Sequence, residues 1–597
     1  MVVFFRLSSM FSEAFLSKNV PNVVQNNRFC TIKRQELRSN RTAFAYQNDR
    51  NCRAKRPLLH ARSSPRFAHT QTKHRKQHIV NHLRLHTHTA QKTDRAIYFS
   101  IFSHSQSVSD ANIVQALCAV SIKTYPEICI GNQNFCKFAP KNNNIMAQER
   151  ANFGSKLGLV LATAGSAVGL GNVWRFPYMA GENGGAAFIL IYVACIMLLG
   201  IPCTMSEFMI GRHGSANTAR AYGRMDTHKA WRLVGFMGVL TGFLITGYYA
   251  VVSGWCLQYI FASGMGELRG DPSYVSSYFA TFSASPLRPL FWTVAILLMT
   301  HFVIIRGVRG GIEKASKALM PLLFVLLLVV VVCSCMLPGS AKGVEFLLKP
   351  DFSKLNSNVF LGAMGQSFYS LGLSMGCLCT FASYFTRETN LLKSAVNIAL
   401  IDTVIAILAG LMIFPAAFSV GVNPDSGPSL IFITLPNVFQ QAFSGMPLVG
   451  TAIAVMFYTL LSLAALTSLI SLHEVSTAFL HEETRLTRHQ AALVVTTVCS
   501  IIGVFCSLSL GGREWLSVWG RTLFDCFDFV TGQIMLPVGG FLTCIFMGWC
   551  VPRRLIRDEF TNWGTLRATF FGVYMFLVRF VCPVCILAIF LNQLGVI

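Results

Sequence analysis

About eleven apolar runs, each roughly 20 residues long, follow one another from about residue 157 to the C-terminus. A helix of about 20 residues spans the ~30 Å hydrocarbon layer of a bilayer. A soluble core can bury one such helix, but it has no room for so many that are apolar on every side. The composition agrees, because 53% of the residues are hydrophobic and only 13% are charged. The sequence therefore predicts an all-α polytopic membrane protein.

The loops between these runs predict the orientation of the chain. Lys and Arg gather in the loops after spans 2, 4, 6, 8 and 10, whereas the long loop 421–446 contains neither. Cytoplasmic loops carry the excess of basic residues in membrane proteins. We therefore expect an N-terminus in the cytoplasm and a C-terminus outside. The predicted spans are 157–179, 186–209, 234–262, 290–306, 316–337, 360–385, 394–420, 446–480, 490–509, 522–549 and 568–592.

Residues 1–145 have a different composition. They contain 22 Lys and Arg against 6 Asp and Glu, whereas the remaining residues contain 28 against 20. Three interpretations are open: an organelle transit peptide, a basic tail for nucleic acid or anionic lipid, and upstream DNA translated from a mis-assigned start. The His-rich tract 69–89 lacks the C-x-x-C pair that would indicate zinc.

The segment MAQERANFGSKLG, which begins at Met146, is typical of a cytoplasmic start just before a first membrane helix. We therefore expect residues 1–145 to be a basic extension, either a mis-assigned start or a disordered tail, with no nucleic-acid partner. The membrane domain is expected to occupy 146–597.

Spans 1 and 6 contain residues that an ordinary membrane helix avoids. Residues 164–177 are AGSAVGLGNVWRFP, and residues 365–376 are GQSFYSLGLSMG. Irregular backbone at membrane depth occurs only where it lines a cavity or is buried in protein. Close helix packing through Gly165 and Gly169 is the alternative, but packing does not call for Asn172 beside them. We favour an unwound ion site.

The positions of these two segments predict the architecture. Interrupted helices 1 and 6 of a ten-helix unit are expected where two five-helix inverted repeats enclose a substrate at their interface. The last apolar run would then be an eleventh helix outside the repeats.

Two segments resemble the neurotransmitter:sodium symporter family: AGSAVGLGNVWRFPYMAGENGGAAF at 164–188 and SGPSLIFITLPNVF at 426–439. The resemblance runs from about Arg150 to the C-terminus, and eleven spans match the bacterial branch of the family. It implies a symporter in a bacterial inner (plasma) membrane that imports small amino acids with sodium by alternating access. A transport-inactive amino-acid sensor of the same fold is the alternative.

The resemblance also implies two sodium sites and no organic cofactor. Na⁺ is a hard cation that takes oxygen ligands, and unwound helices free carbonyl groups to supply them. The first site would use the Ala167 carbonyl, Asn172, Ser370 and the substrate carboxylate. The second site would use the carbonyls of Gly165, Val168 and Ala464 and the hydroxyls of Thr467 and Ser468.

Asp402 lies within span 7, where an acidic side chain is costly and therefore a functional candidate. Chloride-dependent members of the family bind Cl⁻ near this position, and bacterial members tend to carry an acid instead. Tyr192, Gln366 and Ser370 match other positions around that site. We therefore assign Asp402 to the first sodium site as a fixed negative charge that removes the need for chloride. An acid at a helix packing defect is the alternative, and Glu207 in span 2 receives no role.

Two charged pairs resemble the gates of the family. Arg175 and Asp528 match the outer gate, with Asp525 as a rival partner. For the inner gate, simple snorkelling of charges near span ends is the alternative. The inner residues are Arg150 and Glu482, with Glu483 as a rival and Tyr384 nearby.

Two features predict the substrate: an acidic residue that is missing from span 1, and the apolar lining of a pocket. Amine-transporting members place an aspartate where this chain has Gly169, so an α-amino acid is the expected cargo. An apolar lining favours a hydrophobic or aromatic side chain. The side-chain pocket would be lined by Ile245, Tyr249, Tyr369, Gly372, Met375 and Leu472. The polar end of the substrate would meet Ser166, Ala167, Leu170, Gly171, Ser370 and Ser468.

Other functional classes lack support in the sequence. An enzyme would need a nucleophile–base constellation or a phosphate loop, and neither is present. A channel would need a continuous pore rather than two helix breaks at repeat-related positions. The many cysteines inside apolar runs are expected to pack as small hydrophobic residues. The sequence predicts no oligomeric state.

Overall fold

The computed structural model describes residues 152–225, 227–421, 430–511, 514–518 and 520–596. The extension 1–145 and Arg150 lie outside the described residues. Every predicted span corresponds to a helix or to a broken helix, which confirms the all-α membrane fold. The spans are Lys156–Ala167 with Gly171–Glu182 (span 1), Ala186–Gly214 (2), Lys229–Met265 (3), Arg288–Ile304 (4), Val308–Cys335 (5), Ser357–Ser370 with Cys377–Ala382 (6), Leu391–Ser419 (7), Pro447–Glu483 (8), Arg488–Ser509 (9), Leu523–Cys550 (10) and Phe571–Gln593 (11).

Short elements, which hydropathy did not predict, fill the loops. They are too short or too polar to register as spans, and their ends are set by local caps such as the Asp271 side chain, which accepts from the Tyr274 amide. The helices are Thr218–Tyr222, Pro272–Ala284, Ala341–Leu348, Leu435–Ala442 and Arg553–Phe560, and the strands Ser517–Val518 and Arg521–Thr522 pair in antiparallel orientation.

Spans 1 and 6 are both interrupted, as the glycine pattern predicted. The two halves of span 1 meet at an angle of 56°. The halves of span 6 are separated by residues 371–376, in which Gly372, Ser374 and Gly376 have φ values of 61°, 66° and 76°. Left-handed backbone of this kind is easy for glycine and uncommon for serine. The Ser374 amide donates to Glu207 Oε1 at 2.6 Å, so the intramembrane acid of span 2 supports this turn.

Span 8 forms the centre of the bundle. Every residue from Ala464 to Ala478 is buried, which is the behaviour of a helix surrounded by protein. Span 5 behaves differently, because only 33% of its most apolar window is buried and Val325 and Val332 are each 56% exposed. Exposed aliphatic side chains on an outer span are stable only against lipid. The burial pattern therefore places span 8 inside and span 5 at the bilayer.

A buried ion pair joins the end of span 2 to the loop between spans 10 and 11. Arg212 Nε lies 2.7 Å from Glu559 Oε2, and Arg212 Nη2 donates to the Glu559 carbonyl at 2.6 Å. Arg212 Nη1 donates to the Thr389 carbonyl at 2.7 Å, so the loop between spans 6 and 7 is tied in as well. This cluster holds three loops together on the side of the bundle that carries most of the basic residues.

Replacing Arg212 with alanine is expected to lower the free energy of unfolding by about 3 kcal/mol, because Glu559 would remain buried with only His213 beside it, at 3.2 Å. Thermal unfolding of the detergent-solubilised protein measures the change. The control is Lys349→Ala, which breaks the exposed pair between Lys349 and Glu345 and should shift the midpoint little. Equal shifts for the two variants would contradict the role given to Arg212.

Candidate functional site

The break in span 1 frees carbonyl groups because its amides find partners elsewhere. The Gly169 amide donates to Asn172 Oδ1 at 3.0 Å, and the Leu170 amide donates to the Tyr249 hydroxyl at 3.1 Å. In a continuous helix these two amides would bond to the carbonyls of residues 165 and 166. The interruption therefore leaves backbone oxygens near the end of Lys156–Ala167 without their helical donors.

The unwound parts of spans 1 and 6 face each other. An ideal Cβ placed on Gly372 would lie 3.7 Å from the Ser166 carbonyl oxygen and 3.7 Å from Met375 Sδ. An ideal Cβ on Gly171 would meet no atom within 4 Å. Open space thus remains beside the freed backbone, where the predicted substrate site lies.

Asp402 is the centre of a buried polar cluster drawn from spans 1, 2, 6 and 7. Its Oδ1 accepts from Asn172 Nδ2 at 2.6 Å. Its Oδ2 accepts from the hydroxyls of Ser370 at 2.7 Å and Tyr192 at 3.2 Å. Both Asp402 and Asn172 are 0% exposed. A buried carboxylate is tolerable when hydrogen-bond donors surround it, as they do here.

The predicted first sodium site overlaps this cluster. Asn172 Nδ2 also lies 3.2 Å from Ser370 Oγ, so the two predicted side-chain ligands are adjacent. Gln366, predicted near the same site, donates to the Gly171 carbonyl at 3.4 Å. The set of oxygen atoms and the neighbouring negative charge suit a hard monovalent cation.

The residues of the predicted second sodium site are also adjacent. Ser468 Oγ donates to the Val168 carbonyl at 3.2 Å, and Thr467 Oγ1 donates to the Ala464 carbonyl at 2.9 Å. An ideal Cβ on Gly165 would lie 3.4 Å from Thr467 Cβ. Spans 1 and 8 therefore bring the residues of this predicted site next to one another, and their carbonyl and hydroxyl oxygens are ligands that fit Na⁺.

We expect Thr467→Val and Ser468→Ala each to raise the sodium concentration needed for half-maximal uptake by about ten-fold, because each removes one oxygen ligand. The measurement is uptake as a function of external Na⁺. The matched control is Thr459→Val on the same span, whose hydroxyl donates only to the Val455 carbonyl one turn back. An unchanged sodium dependence in both site variants would remove these residues from the site.

The predicted side-chain pocket is bounded by spans 3, 6 and 8. Ile245 and Leu472 are buried, and Tyr249 meets the unwound backbone through its hydroxyl. Tyr369 closes one side, because its hydroxyl donates to the Gly532 carbonyl. The lining is apolar apart from hydroxyl groups that are already hydrogen-bonded, so it suits an apolar side chain.

Each of the predicted outer-gate residues contacts a tyrosine. The Arg175 guanidinium stacks over the Tyr369 ring at 4.1 Å, and Asp528 Oδ1 accepts from the Tyr248 hydroxyl at 3.1 Å. Among the described residues, no ion pair within 4.0 Å joins Arg175 to Asp528. Asp525, the rival, instead accepts from Thr522 Oγ1 at 2.7 Å as part of the helix cap. Asp528 is therefore the acid that faces the tyrosines.

At the opposite end of the bundle, Glu482 accepts from the Asn217 backbone amide at 2.7 Å and from Asn217 Nδ2 at 3.1 Å. Glu483 accepts from Arg220 at 2.9 Å and from Arg232 at 2.5 Å. The rival Glu483 is thus paired with other arginines. The predicted partner of Glu482, Arg150, lies outside the described residues.

Sequence reasoning missed a third acid at this end. Glu474 of span 8 is 0% exposed and accepts from the Tyr384 hydroxyl at 2.7 Å. Arg488 donates to the same carboxylate from Nη1 at 3.0 Å and from Nη2 at 2.5 Å. The available signal was an acidic residue in the middle of an apolar run, which marks a functional candidate. Tyr248 was missed because a tyrosine in an apolar span carries no comparable signal.

The amino-acid sequence of the chain is similar to those of known proteins. Residues 150–272 and 284–597 match the family model described as "Sodium:neurotransmitter symporter family". The chain is 36% identical over 452 residues to the uncharacterized sodium-dependent transporter YhdH of Bacillus subtilis, covering 75% of this chain and 99% of that one. A second uncharacterized sodium-dependent transporter, from Methanocaldococcus jannaschii, is 30% identical over 459 residues, 74% of this chain and 90% of the relative.

A solved structure matches as well. The crystal structure of MhsT in complex with L-phenylalanine superimposes with a TM-score of 0.67 and 39% sequence identity, over 74% of this chain and 100% of that one.

Proposed function

The chain belongs to the sodium:neurotransmitter symporter family of sodium-dependent transporters, and from this premise we propose that it imports a small hydrophobic or aromatic amino acid by alternating access. The alternative, a transport-inactive sensor of the same fold, would bind the amino acid without moving it. The membrane is proposed to be a bacterial inner (plasma) membrane, with the basic loops in the cytoplasm.

The observation that carries the choice of an amino acid is the space around Gly169. An ideal Cβ at this position would lie 2.6 Å from Ser468 Oγ and 3.2 Å from the Tyr249 hydroxyl. The acidic side chain that amine-transporting members carry here would not fit. An amino acid brings its own carboxylate, which takes that place and faces the freed backbone of span 1.

The pocket supports a hydrophobic or aromatic side chain. Ile245 and Leu472 offer aliphatic surface, Tyr369 offers a ring, and Met375 is flexible enough to repack around substrates of different size. MhsT, whose structure matches this chain, was solved in complex with L-phenylalanine, which supports the same class of ligand for the present chain.

Two sodium ions are proposed to couple to this substrate. The first would be held by the Ala167 carbonyl, Asn172 and Ser370, together with the substrate carboxylate. Because the substrate would itself be a ligand, the amino acid and this sodium ion would stabilise each other's binding. The second would join span 1 to span 8 through Val168 and Ser468, whose oxygens lie 3.2 Å apart.

Asp402 is proposed to supply the negative charge that balances the first sodium ion. Its carboxylate is bonded to Asn172 and Ser370, the two predicted side-chain ligands. Attraction between a buried anion and a nearby cation is strong at low dielectric. With this charge built into the chain, transport would not require chloride.

The gates would close in alternation above and below the site. Arg175, Tyr369 and Asp528 would form the outer closure, and Arg150 with Glu482 the inner one. The transporter is proposed to consist of residues 146–597. The match of 99% of the length of YhdH by 75% of this chain supports that assignment.

Ligand binding to the purified full chain tests the proposal. Radiolabelled phenylalanine, tryptophan, tyrosine, leucine and alanine would be offered in Na⁺ or K⁺, each with chloride or gluconate. We expect saturable binding of at least one of the four larger amino acids in Na⁺ alone, equal with either anion. Binding that persists in K⁺, or that needs chloride, would contradict the proposed coupling.

A further inference from the structure

Three cysteines from three different spans meet in the interior of the bundle. They are Cys203 of span 2, Cys544 of span 10 and Cys582 of span 11. Their Sγ atoms all lie within 4.8 Å of one another, and those of Cys203 and Cys544 are 3.7 Å apart. All three are free thiols, with exposed fractions of 4%, 0% and 0% in the order given. Nothing in the proposed transport cycle uses them.

We propose that this cluster binds a soft divalent cation such as Zn²⁺ or Cd²⁺. Sulfur ligands surround Zn²⁺ at about 2.3 Å, so two of them in a tetrahedral site lie about 3.8 Å apart. The Cys203–Cys544 separation of 3.7 Å matches this value, and every Sγ separation in the cluster is within 4.8 Å, so rotation of the thiols would bring the three toward one ion.

The donor set defines the class of cation. Thiol sulfur selects soft and borderline ions, whereas Na⁺, Mg²⁺ and Ca²⁺ prefer oxygen. The group of ligands in the described residues consists of sulfur alone, with no carboxylate or imidazole among its members. The cluster is therefore distinct in chemistry from both proposed sodium sites, and ordinary salt does not compete for it.

The charge balance also fits a buried site. A divalent cation binds as two S–H bonds break, two protons leave and three metal–sulfur bonds form, two from thiolates and a third, weaker one from a lone pair of the remaining neutral thiol. The resulting centre has no net charge, which matters because an uncompensated charge in this interior is costly.

Packing alone explains the other buried cysteines but not this arrangement. Cys256, Cys499 and Cys506 are each 0% exposed, and none of them belongs to such a group among the described residues. In contrast, spans 2, 10 and 11 aim a thiol at one common point. A cation held there would tie the three spans together and resist their relative movement, and this consequence for transport rests on the proposed function.

Direct metal binding tests the site without any transport assay. The full chain, reduced and then freed of reductant, would be titrated with Cd²⁺, and bound metal would be measured by elemental analysis and by thiolate-to-Cd²⁺ charge-transfer absorption. We expect the triple variant C203S/C544S/C582S to lose about one bound Cd²⁺ per chain. The matched control C256S/C499S/C506S also removes three buried thiols and should bind as much as the unmodified chain. The five cysteines of residues 1–145 are the same in every variant.

A single substitution keeps the test informative if the triple variant misfolds. Cys582→Ser leaves two thiols and should weaken Cd²⁺ binding by about ten-fold or more, while its unfolding midpoint without metal stays near that of the unmodified chain. Cd²⁺ should raise the midpoint of the unmodified chain and not that of this variant. Undiminished Cd²⁺ binding by C203S/C544S/C582S, or an equal loss in the control, would overturn the proposal. Slower uptake in Cd²⁺ that the triple variant escapes would extend it to transport.

Discussion

Replacing Asp402 with asparagine is expected to reduce sodium-driven uptake in chloride-free buffer by about 100-fold. The carboxylate is completely buried and accepts hydrogen bonds from Asn172, Ser370 and Tyr192. An amide of the same size keeps the shape of the site but removes the negative charge proposed to balance the first sodium ion. The measurement is initial uptake of the preferred amino acid into proteoliposomes.

Chloride should restore part of the lost uptake in Asp402→Asn. The hydroxyls of Ser370 and Tyr192 now donate to the carboxylate, and beside a neutral amide they can turn toward an anion that binds next to it. Chloride should therefore stimulate the variant and leave the unmodified chain unchanged.

The control is Ser394→Ala on the same span, because the Ser394 hydroxyl donates to the Asn390 carbonyl one turn back, away from the cluster. Its uptake should remain near the unmodified level with either anion. Full activity of Asp402→Asn without chloride would show that Asp402 is an acid at a packing defect, which was the alternative.

Replacing Gly169 with alanine is expected to lower uptake by about 10- to 100-fold, because overpacking in a close-packed site costs about 1–3 kcal/mol. The added Cβ would lie 2.6 Å from Ser468 Oγ, a proposed ligand of the second sodium ion. It would also lie 3.2 Å from the Tyr249 hydroxyl, which accepts from the Leu170 amide. One methyl group therefore disturbs both the proposed second sodium site and the unwound backbone that the Tyr249 hydroxyl holds.

Sodium dependence separates the two effects of Gly169→Ala. A displaced Ser468 should raise the sodium concentration needed for half-maximal uptake, as Ser468→Ala is expected to do. Gly572→Ala is the control, because an ideal Cβ there meets nothing within 4 Å. Normal uptake and normal sodium dependence in Gly169→Ala would contradict the close contact and the argument for an amino-acid substrate.

The fold could be predicted from the sequence because hydropathy is a local property. Each apolar run became a span, although the ends moved; span 3, for example, was predicted at 234–262 and extends over Lys229–Met265. The interruptions of spans 1 and 6 could be predicted because glycine, asparagine and proline disfavour a regular helix. Short loop helices such as Ala341–Leu348 were missed because hydropathy detects only long apolar segments.

Partners of buried charges could not be predicted in the same way. Glu207 supports the Ser374 amide, 167 positions along the chain, and nothing in the local sequence of either residue indicates the contact. Family resemblance predicted that Asn172, Ser370 and Asp402 belong together, since the motif carried tertiary information. No motif pointed to Glu474 and Arg488, so that buried pair emerged only from the packing of spans 8 and 9.

Sodium-driven uptake by the full chain in proteoliposomes tests the central claim most directly. An inward Na⁺ gradient would be compared with an equal K⁺ gradient, with the best ligand from the binding panel as the labelled substrate. We predict accumulation above the external concentration with Na⁺ only, unchanged when gluconate replaces chloride. Sodium-dependent binding without accumulation would contradict transport and favour the sensor, and accumulation that ignores sodium would contradict the coupling itself.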